Sequence, residues 1–116
     1  MENPAIEKSI PFILVEILEY VPNDVLIKTI IRKTTGNVTA FSVDSGGILT
    51  EKISPFDILI QVIDGKAEII INEDVHLLET GESIIVPAHA RTTIKANVRF
   101  KMLSTIIKSG YEEVSC

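Results

Sequence analysis

Residues 57–71 read DILIQVIDGKAEIII, two aliphatic runs that meet at Asp64 and Gly65. Short runs of Ile, Val and Leu favour β-strands. The Asp-Gly pair tolerates the positive φ angles that a two-residue turn of type I′ requires. The stretch therefore predicts a β-hairpin, with strands over 57–63 and 66–71.

Turn signals divide the rest of the chain in the same way, at a spacing close to ten residues. Runs of Ile, Val, Leu and Thr lie between turn signals at 34–37, 44–47, 72–74, 80–81 and 87–89. This spacing is typical of an all-β sandwich or barrel. The last run, 98–107, alternates at first and then becomes apolar on both faces, which is typical of a strand covered on both sides.

The N-terminal stretch follows a different pattern. Phe12, Val15 and Leu18 fall at helical spacing, and Pro22 follows the last of them. A proline also opens the stretch, where the first turn of a helix accepts it. The pattern predicts one short helix over 11–20.

Composition and charge exclude several classes of protein. The 116 residues carry 11 basic and 16 acidic side chains, and the net charge of −5 has the wrong sign for general nucleic-acid binding. No apolar run is long enough for a transmembrane helix, and Glu2 and Glu7 stand where a secretory signal carries basic residues. The lone cysteine, Cys116, cannot form an internal disulfide. We therefore expect a cytoplasmic protein that binds neither nucleic acid nor membrane.

The apolar content is high for a small domain, with 46% of residues hydrophobic and 23% charged. A domain of this size has little interior, so part of its apolar surface is expected to face outward. Large exposed apolar patches mark association sites. A homodimer is therefore predicted, formed through the N-terminal helix and the strand over 98–107.

Two glycine-anchored segments resemble the two motifs of the cupin family, which are small jelly-roll barrels. The family pattern is G-x5-H-x-H-x3-4-E-x6-G followed by G-x5-P-x-G-x2-H-x3-N. Here the first segment reads GGILTEKISPFD and continues to Gly65, and the second, 81–92, reads GESIIVPAHART. The glycines and Pro87 are in register. The resemblance implies an all-β fold, the cupin double-stranded β-helix, in its RmlC-like form, together with a metal site inside the barrel.

The residues at the family's metal-ligand positions do not match that site. Lys52 and Ser54 stand in the places of the two histidines, Ile58 in that of the glutamate, and Thr92 in that of the second-motif histidine. Transition metals prefer imidazole and carboxylate ligands, whereas an ammonium and an aliphatic side chain offer no lone pair at neutral pH. The resemblance thus implies a degenerate metal site, with no metal and no other cofactor.

Alternatives remain for the polar residues of both motifs. His89, with Glu51 or Asp57, could form a non-standard metal site, while His76 belongs to another strand. The lysine at the first ligand position either extends its ammonium to the barrel mouth or holds an anionic partner. A second cation at that mouth, Arg91, would favour a carboxylate-bearing ligand.

The function expected from these residues is a metal-free binding module rather than an enzyme. The expected ligand is a small molecule, either neutral or an organic acid. The sequence does not indicate the physiological role of the module. The alternatives are a metal-dependent cupin enzyme, such as a dioxygenase or isomerase, and a structural dimer without a ligand. The predicted organisation is an N-terminal arm over 1–24, a barrel over 25–107 and a C-terminal tail over 108–116. The predicted ligand-binding residues are Lys52, Ser54, Ile58, His89, Arg91 and Thr92.

Overall fold

The computed structural model describes residues 6–50 and 53–108. Within these ranges, one turn of 3₁₀ helix, Leu14–Glu16, precedes eight strands. The strands are β1 (Val25–Lys33), β2 (Gly36–Val43), β3 (Ile48–Thr50), β4 (Ile58–Ile71), β5 (Asp74–Glu79), β6 (Ser83–Val86), β7 (Thr92–Lys95) and β8 (Phe100–Ile107). The all-β jelly-roll fold predicted from the sequence is confirmed.

The strands form two antiparallel sheets that share β4. The large sheet has the order β1, β2, β8, first half of β4, and β6. The small sheet has the order β5, second half of β4, β7, and β3. The two sheets curl around a common interior because one strand belongs to both.

The hairpin predicted over 57–71 is wrong, because these residues form the single strand β4. A register shift between Val62 and Asp64 separates its two halves. Before the shift the inward residues are Ile58, Ile60 and Val62, and after it they are Ala67, Ile69 and Ile71. The extra residue of a β-bulge changes which positions face inward, and it also bends the strand from one sheet into the other.

The main core lies between the sheets. Its buried members come from six of the strands and two loops: Val43, Ile58, Ile60, Val62, Ala67, Ile69, Ile71, Leu78, Val86, Ala90, Ile94, Ala96, Phe100 and Met102. Several of these side chains are completely buried, among them Phe100, Met102 and Ile69. The barrel interior is therefore filled with hydrocarbon over most of its length.

A second, smaller core lies outside the large sheet, beneath the N-terminal arm. Leu18 of the arm packs on Ala40 of β2 and Leu103 of β8. Both faces of β8 are thus covered near its middle, where Phe100 and Met102 point into the main core, whereas the sequence predicted cover on both faces toward the end of the strand. The end of the strand is different, because Ile107 is 75% exposed.

The arm is not the predicted helix over 11–20, apart from its single 3₁₀ turn. Its carbonyl oxygens are used by the sheet instead: Lys101 Nζ donates to Val15 O at 2.6 Å, and Ser42 Oγ donates to Glu19 O at 2.9 Å. These contacts stabilise an irregular segment whose backbone makes few hydrogen bonds of its own. In the described ranges, no helix reaches the length and hydropathy that a membrane crossing requires.

Candidate ligand site at the barrel mouth

Two loops close one end of the barrel. The loop before β4 and the loop between β6 and β7 meet there through two hydrogen bonds. Ala88 N donates to Asp57 Oδ1 at 2.8 Å, and His89 N donates to Ser54 O at 2.6 Å. These bonds fix the distance between the two segments that carry the sequence motifs.

Beneath the loops lies a closed pocket, lined by Ser54, Ile58, Ile60, Val86, Pro87, Ala90 and Thr92. In this closed arrangement the pocket has no gap wide enough for a water molecule. Three of the predicted ligand-binding residues, Ser54, Ile58 and Thr92, are therefore brought together on its wall.

The other three predicted residues are placed differently. Lys52 lies outside the described residues, as does Glu51. His89 and Arg91 are exposed, and neither lines the pocket. Arg91 contributes its backbone N–H, which donates to Asn72 Oδ1 at 3.0 Å. The turn holds His89 at a φ of 67°, a left-handed conformation that is uncommon outside glycine.

The polar atoms of the pocket differ in how they are satisfied. Ser54 Oγ accepts from Phe56 N at 3.0 Å and donates to Phe56 O at 3.1 Å. Thr92 is 6% exposed, and its hydroxyl Oγ1 is buried without a hydrogen-bond partner among the described residues. A buried hydroxyl without a partner costs on the order of 1–3 kcal/mol, so Thr92 is the polar group in this pocket that lacks a counterpart.

The non-standard metal site considered for His89 is not assembled in the described ranges. No three of their His, Cys, Asp and Glu residues lie close enough together to hold a metal ion. Asp57 directs Oδ1 to the backbone of Ala88, and His76 lies on β5, paired with Ile69 in the small sheet. The two histidines therefore belong to different parts of the barrel.

Sequence reasoning missed the role of Asp57 in joining the two loops. The available signal was the position of Asp57, directly after Pro55 and Phe56 and directly before a strand. An aspartate in such a turn often accepts a backbone N–H. Sequence reasoning also missed the contacts of Tyr20, whose hydroxyl donates to Asp64 Oδ2, 44 residues further along the chain, and whose ring lies against Arg99 and Lys101. Side-chain contacts over such separations leave no local pattern.

Comparisons with known proteins yield fold relatives. Neither a protein-family model nor a curated protein matches the chain. A conserved protein of unknown function from Streptococcus pyogenes has a solved structure that is 25% identical, with 94% of this chain and 96% of that chain covered and a TM-score of 0.85. A cupin superfamily protein from Desulfitobacterium hafniense is 24% identical, with coverages of 94% and 100% and a TM-score of 0.84.

More distant structures extend the likeness. An RmlC-like cupin from Shewanella frigidimarina is 13% identical, with coverages of 93% and 97% and a TM-score of 0.72. A salicylate 1,2-dioxygenase from Pseudoaminobacter salicylatoxidans is 15% identical over 75% of this chain and 27% of that chain, with a TM-score of 0.66. The fold neighbours thus include both proteins of unknown function and dioxygenases. With its curled antiparallel sheet and these neighbours, the chain has the jelly-roll fold seen in RmlC-like cupin proteins.

Proposed function

We propose that this cupin is a metal-free binding module that takes part of a small ligand, such as an organic acid, into the mouth of its barrel. The site is the pocket of Ser54, Ile58 and Thr92 together with the loops above it. Ligand sites of proteins with this architecture commonly lie at barrel mouths. The apolar wall of the pocket fits a ligand with a hydrocarbon part.

The observation that carries the proposal is the buried hydroxyl of Thr92, which has no hydrogen-bond partner among the described residues. In a folded protein, buried polar atoms are nearly always hydrogen-bonded, and an exception calls for a reason. A polar ligand atom within the pocket would supply the missing partner for Oγ1. The hydroxyl of Ser54 is already engaged by Phe56, so the ligand is expected to meet Thr92 first.

The donors of the pocket do not fit a transition metal. Ile58 offers none, the hydroxyl of Ser54 is occupied, and the hydroxyl of Thr92 is neutral. Imidazole, thiolate and carboxylate are the ligands that iron, manganese and zinc require. The binding chemistry proposed for this mouth is therefore hydrogen bonding and charge, without Lewis-acid or redox steps.

The preference for an acid rests on the cations of the two motifs. Lys52 stands two residues before Ser54 in the sequence, and Arg91 immediately precedes Thr92. An ammonium is a compact positive charge with three hydrogen-bond donors, and a guanidinium can bind a carboxylate through two parallel bonds. A carboxylate at the mouth would balance these charges while its hydrocarbon part enters the pocket.

A structural barrel without a ligand is the second candidate function, and the tight packing of the pocket favours it. A ligand enters only if the loops carrying Asp57 and Ala88 separate, since the closed pocket has no gap for a water molecule. Two hydrogen bonds join these loops directly, and exposed bonds of this kind each contribute about 1 kcal/mol. The binding free energy of a ligand of modest affinity is therefore large enough to separate the two loops.

Thermal unfolding with acetate, benzoate, succinate and phosphate tests the proposal. An acid that binds should raise the melting temperature of the wild type by several degrees at saturation, since ligands stabilise the form they bind. Lys52→Met should reduce the increase by removing the charge, and Thr92→Val by removing the hydroxyl. Thr93→Val changes the neighbouring residue, which pairs on the opposite face of β7, and should keep the full response.

Two results would overturn the proposal, each in favour of a named alternative. If none of the four acids shifts the melting temperature, the barrel is structural. If protein purified without an affinity tag contains about one iron, manganese, nickel or zinc per chain, removable by a chelator, the metal-dependent cupin is correct. Elemental analysis of the same preparation provides the second measurement.

A further inference from the structure

The loop between β6 and β7 covers the pocket of Thr92 at the barrel mouth. Its residues 87–90 are here called the strap. Pro87 and Ala90 of the strap line the pocket, and Ala90 is buried among the residues of the main core. The strap is therefore one wall of the candidate site, and its position determines whether Thr92 can be reached from outside.

Two hydrogen bonds attach the strap to the loop before β4. Ala88 N donates to Asp57 Oδ1 at 2.8 Å, and His89 N donates to Ser54 O at 2.6 Å. This pair of bonds is here called the latch. All four residues of the latch lie outside the strands. The latch can therefore break while every strand pairing of the two sheets is kept.

The residue that follows the strap is attached in a different way. Arg91 N donates to Asn72 Oδ1 at 3.0 Å, and Asn72 N donates to Arg91 O at 2.9 Å. These bonds continue the ladder between β4 and β7, in which Ile71 pairs with Thr92. Their loss would shorten that ladder, so Arg91 is expected to stay in place while the strap moves. Asn72 and Arg91 are here called the hinge.

The backbone of the strap favours movement, whereas the loop before β4 is held by its own side chain. His89 has a φ of 67°, and a left-handed conformation is unfavourable for a residue with a Cβ atom. Breaking the latch allows this residue to leave that conformation. In the opposing loop, Ser54 Oγ accepts from Phe56 N and donates to Phe56 O. The strap is therefore the part that moves when the two loops separate.

We propose that the strap is a gate, which opens about the hinge when both bonds of the latch break in one event. The inference rests on the proposed function, because it assigns the regulation of the same ligand site. The closed pocket has no gap wide enough for a water molecule, so a ligand binds only the open form. The open fraction then sets the apparent affinity. Asp57 is thus a positioning residue, which lowers the affinity by stabilising the closed strap.

Amide hydrogen exchange of the full chain, followed by NMR without ligand, tests the gate directly. In the wild type, Ala88 and His89 should have similar protection factors, lower than that of Arg91. Asp57→Ala removes the acceptor of Ala88 alone, but it should also raise the exchange rate of His89 about 5-fold, the effect of losing one exposed hydrogen bond. Asp57→Asn retains an oxygen acceptor and should stay close to the wild type. Asp57 is exposed, so neither substitution disturbs the core.

Asn72→Gly is the matched control at the hinge. Glycine accepts the φ of 48° found at Asn72, and the substitution removes the acceptor Oδ1 of the Arg91 amide. Exchange at Arg91 should become faster, and exchange at His89 should stay as in the wild type. The inference is overturned if Asp57→Ala leaves the exchange of His89 unchanged. It is also overturned if the latch amides of the wild type are as protected as that of Arg91.

Benzoate binding, measured by isothermal titration calorimetry, separates the gate from the proposed function. Asp57→Ala should bind benzoate about 5-fold more tightly than the wild type, because its open fraction is larger by that factor. Asp57→Asn should bind benzoate as the wild type does. Equal gains in the two variants would show that the lost negative charge, rather than the latch, controls binding, and the gate would be wrong. If no variant binds benzoate while exchange follows the expected pattern, the strap opens as inferred and the proposed acid ligand is wrong.

Discussion

Tyr20 of the N-terminal arm donates a hydrogen bond of 2.7 Å from its hydroxyl to Asp64 Oδ2, at the bulge where β4 passes from the large sheet into the small one. Two cations lie over the same ring, Arg99 at 4.4 Å and Lys101 at 4.8 Å from its centroid. Lys101 also reaches back to the carbonyl of Val15. The ring therefore connects the arm to the part of the barrel where both sheets meet.

We expect Tyr20→Phe to lower the free energy of unfolding by about 1 kcal/mol at neutral pH, because it removes the bond to Asp64 and retains the ring. Burial, and then the bond to Asp64, raise the pKa of Tyr20 above its ordinary value of 10.0. The folded protein thus holds the phenol proton to higher pH than the unfolded chain does. This contribution to stability is complete below about pH 10 and is lost as the pH rises through the folded-state pKa.

Urea unfolding from about pH 8 to 11.5 measures this effect. The difference in unfolding free energy between the wild type and Tyr20→Phe should shrink as the pH rises above 10.0. The comparison isolates the phenol, because the two proteins have the same residue at every other position. A difference that stays constant over this range would contradict the assigned role of the phenol proton.

Gly65 lies at the bulge where β4 passes from the large sheet into the small one, and its substitution tests how tightly that bulge is packed. Its φ is +86°, and a Cβ there would collide with the backbone carbonyl oxygen of Arg99. Gly81 has a similar φ of +93°, but a Cβ there would meet no atom within 4 Å. Gly81→Ala should therefore cost about 1 kcal/mol from backbone strain alone, and Gly65→Ala about 3 kcal/mol or more. Chemical denaturation measures both, and equal costs would show that the close approach at Gly65 relaxes freely.

The sequence predicted the strands better than their connections. The periodicity of β4 changes at Asp64 because a bulge shifts the inward positions, and a hairpin produces the same local pattern. An Asp-Gly pair suits either structure, since both require a residue with positive φ. Only the pairing of β4 with β8, distant in the sequence, distinguishes them. Local propensity could not contain that information.

The sequence predicted which residues lie close together where their positions follow from the register of the two motifs. Ser54, Ile58 and Thr92 share one pocket because their spacing from the anchoring glycines matches the family pattern. The exposure of His89 and Arg91 was less predictable, because the conformation of the turn before β7 determines which of its side chains face outward. Whether the Thr92 hydroxyl finds a hydrogen-bond partner depends on all the atoms around it, and within residues 6–50 and 53–108 it finds none. No pattern of residue types expresses that property.

Asp44 leads to a prediction for acidic solution. Its Oδ2 accepts the backbone N–H of Asn23 at 2.7 Å, and this bond, with a second one from Ser45, lowers the pKa of the carboxyl below its ordinary value of 3.8. The resulting stabilisation is present above pH 3.8 and is lost as the pH falls through the folded-state pKa. We expect Asp44→Asn to be less stable than the wild type at neutral pH and to converge with it in acid.

Urea midpoints from about pH 2.5 to 7 provide the measurement. Asp74→Asn, at the start of β5, removes the same charge and serves as the control for net charge. If both variants respond to pH alike, the effect belongs to the charge of the whole chain rather than to the turn at Asp44.

Thr92→Val separates the stability of the empty barrel from its binding. Valine has the shape of threonine but lacks the hydroxyl, so the substitution removes a buried polar atom that has no partner among the described residues. The ligand-free protein should become more stable by about 1 kcal/mol, because the unfolded chain no longer loses the hydration of that hydroxyl on folding. Thr93→Val, on the half-buried opposite face of β7, should change the unfolding free energy by less than about 0.5 kcal/mol. Urea unfolding without ligand gives both values. A destabilised Thr92→Val would mean that the hydroxyl is hydrogen-bonded in solution and that the pocket needs no ligand to satisfy it.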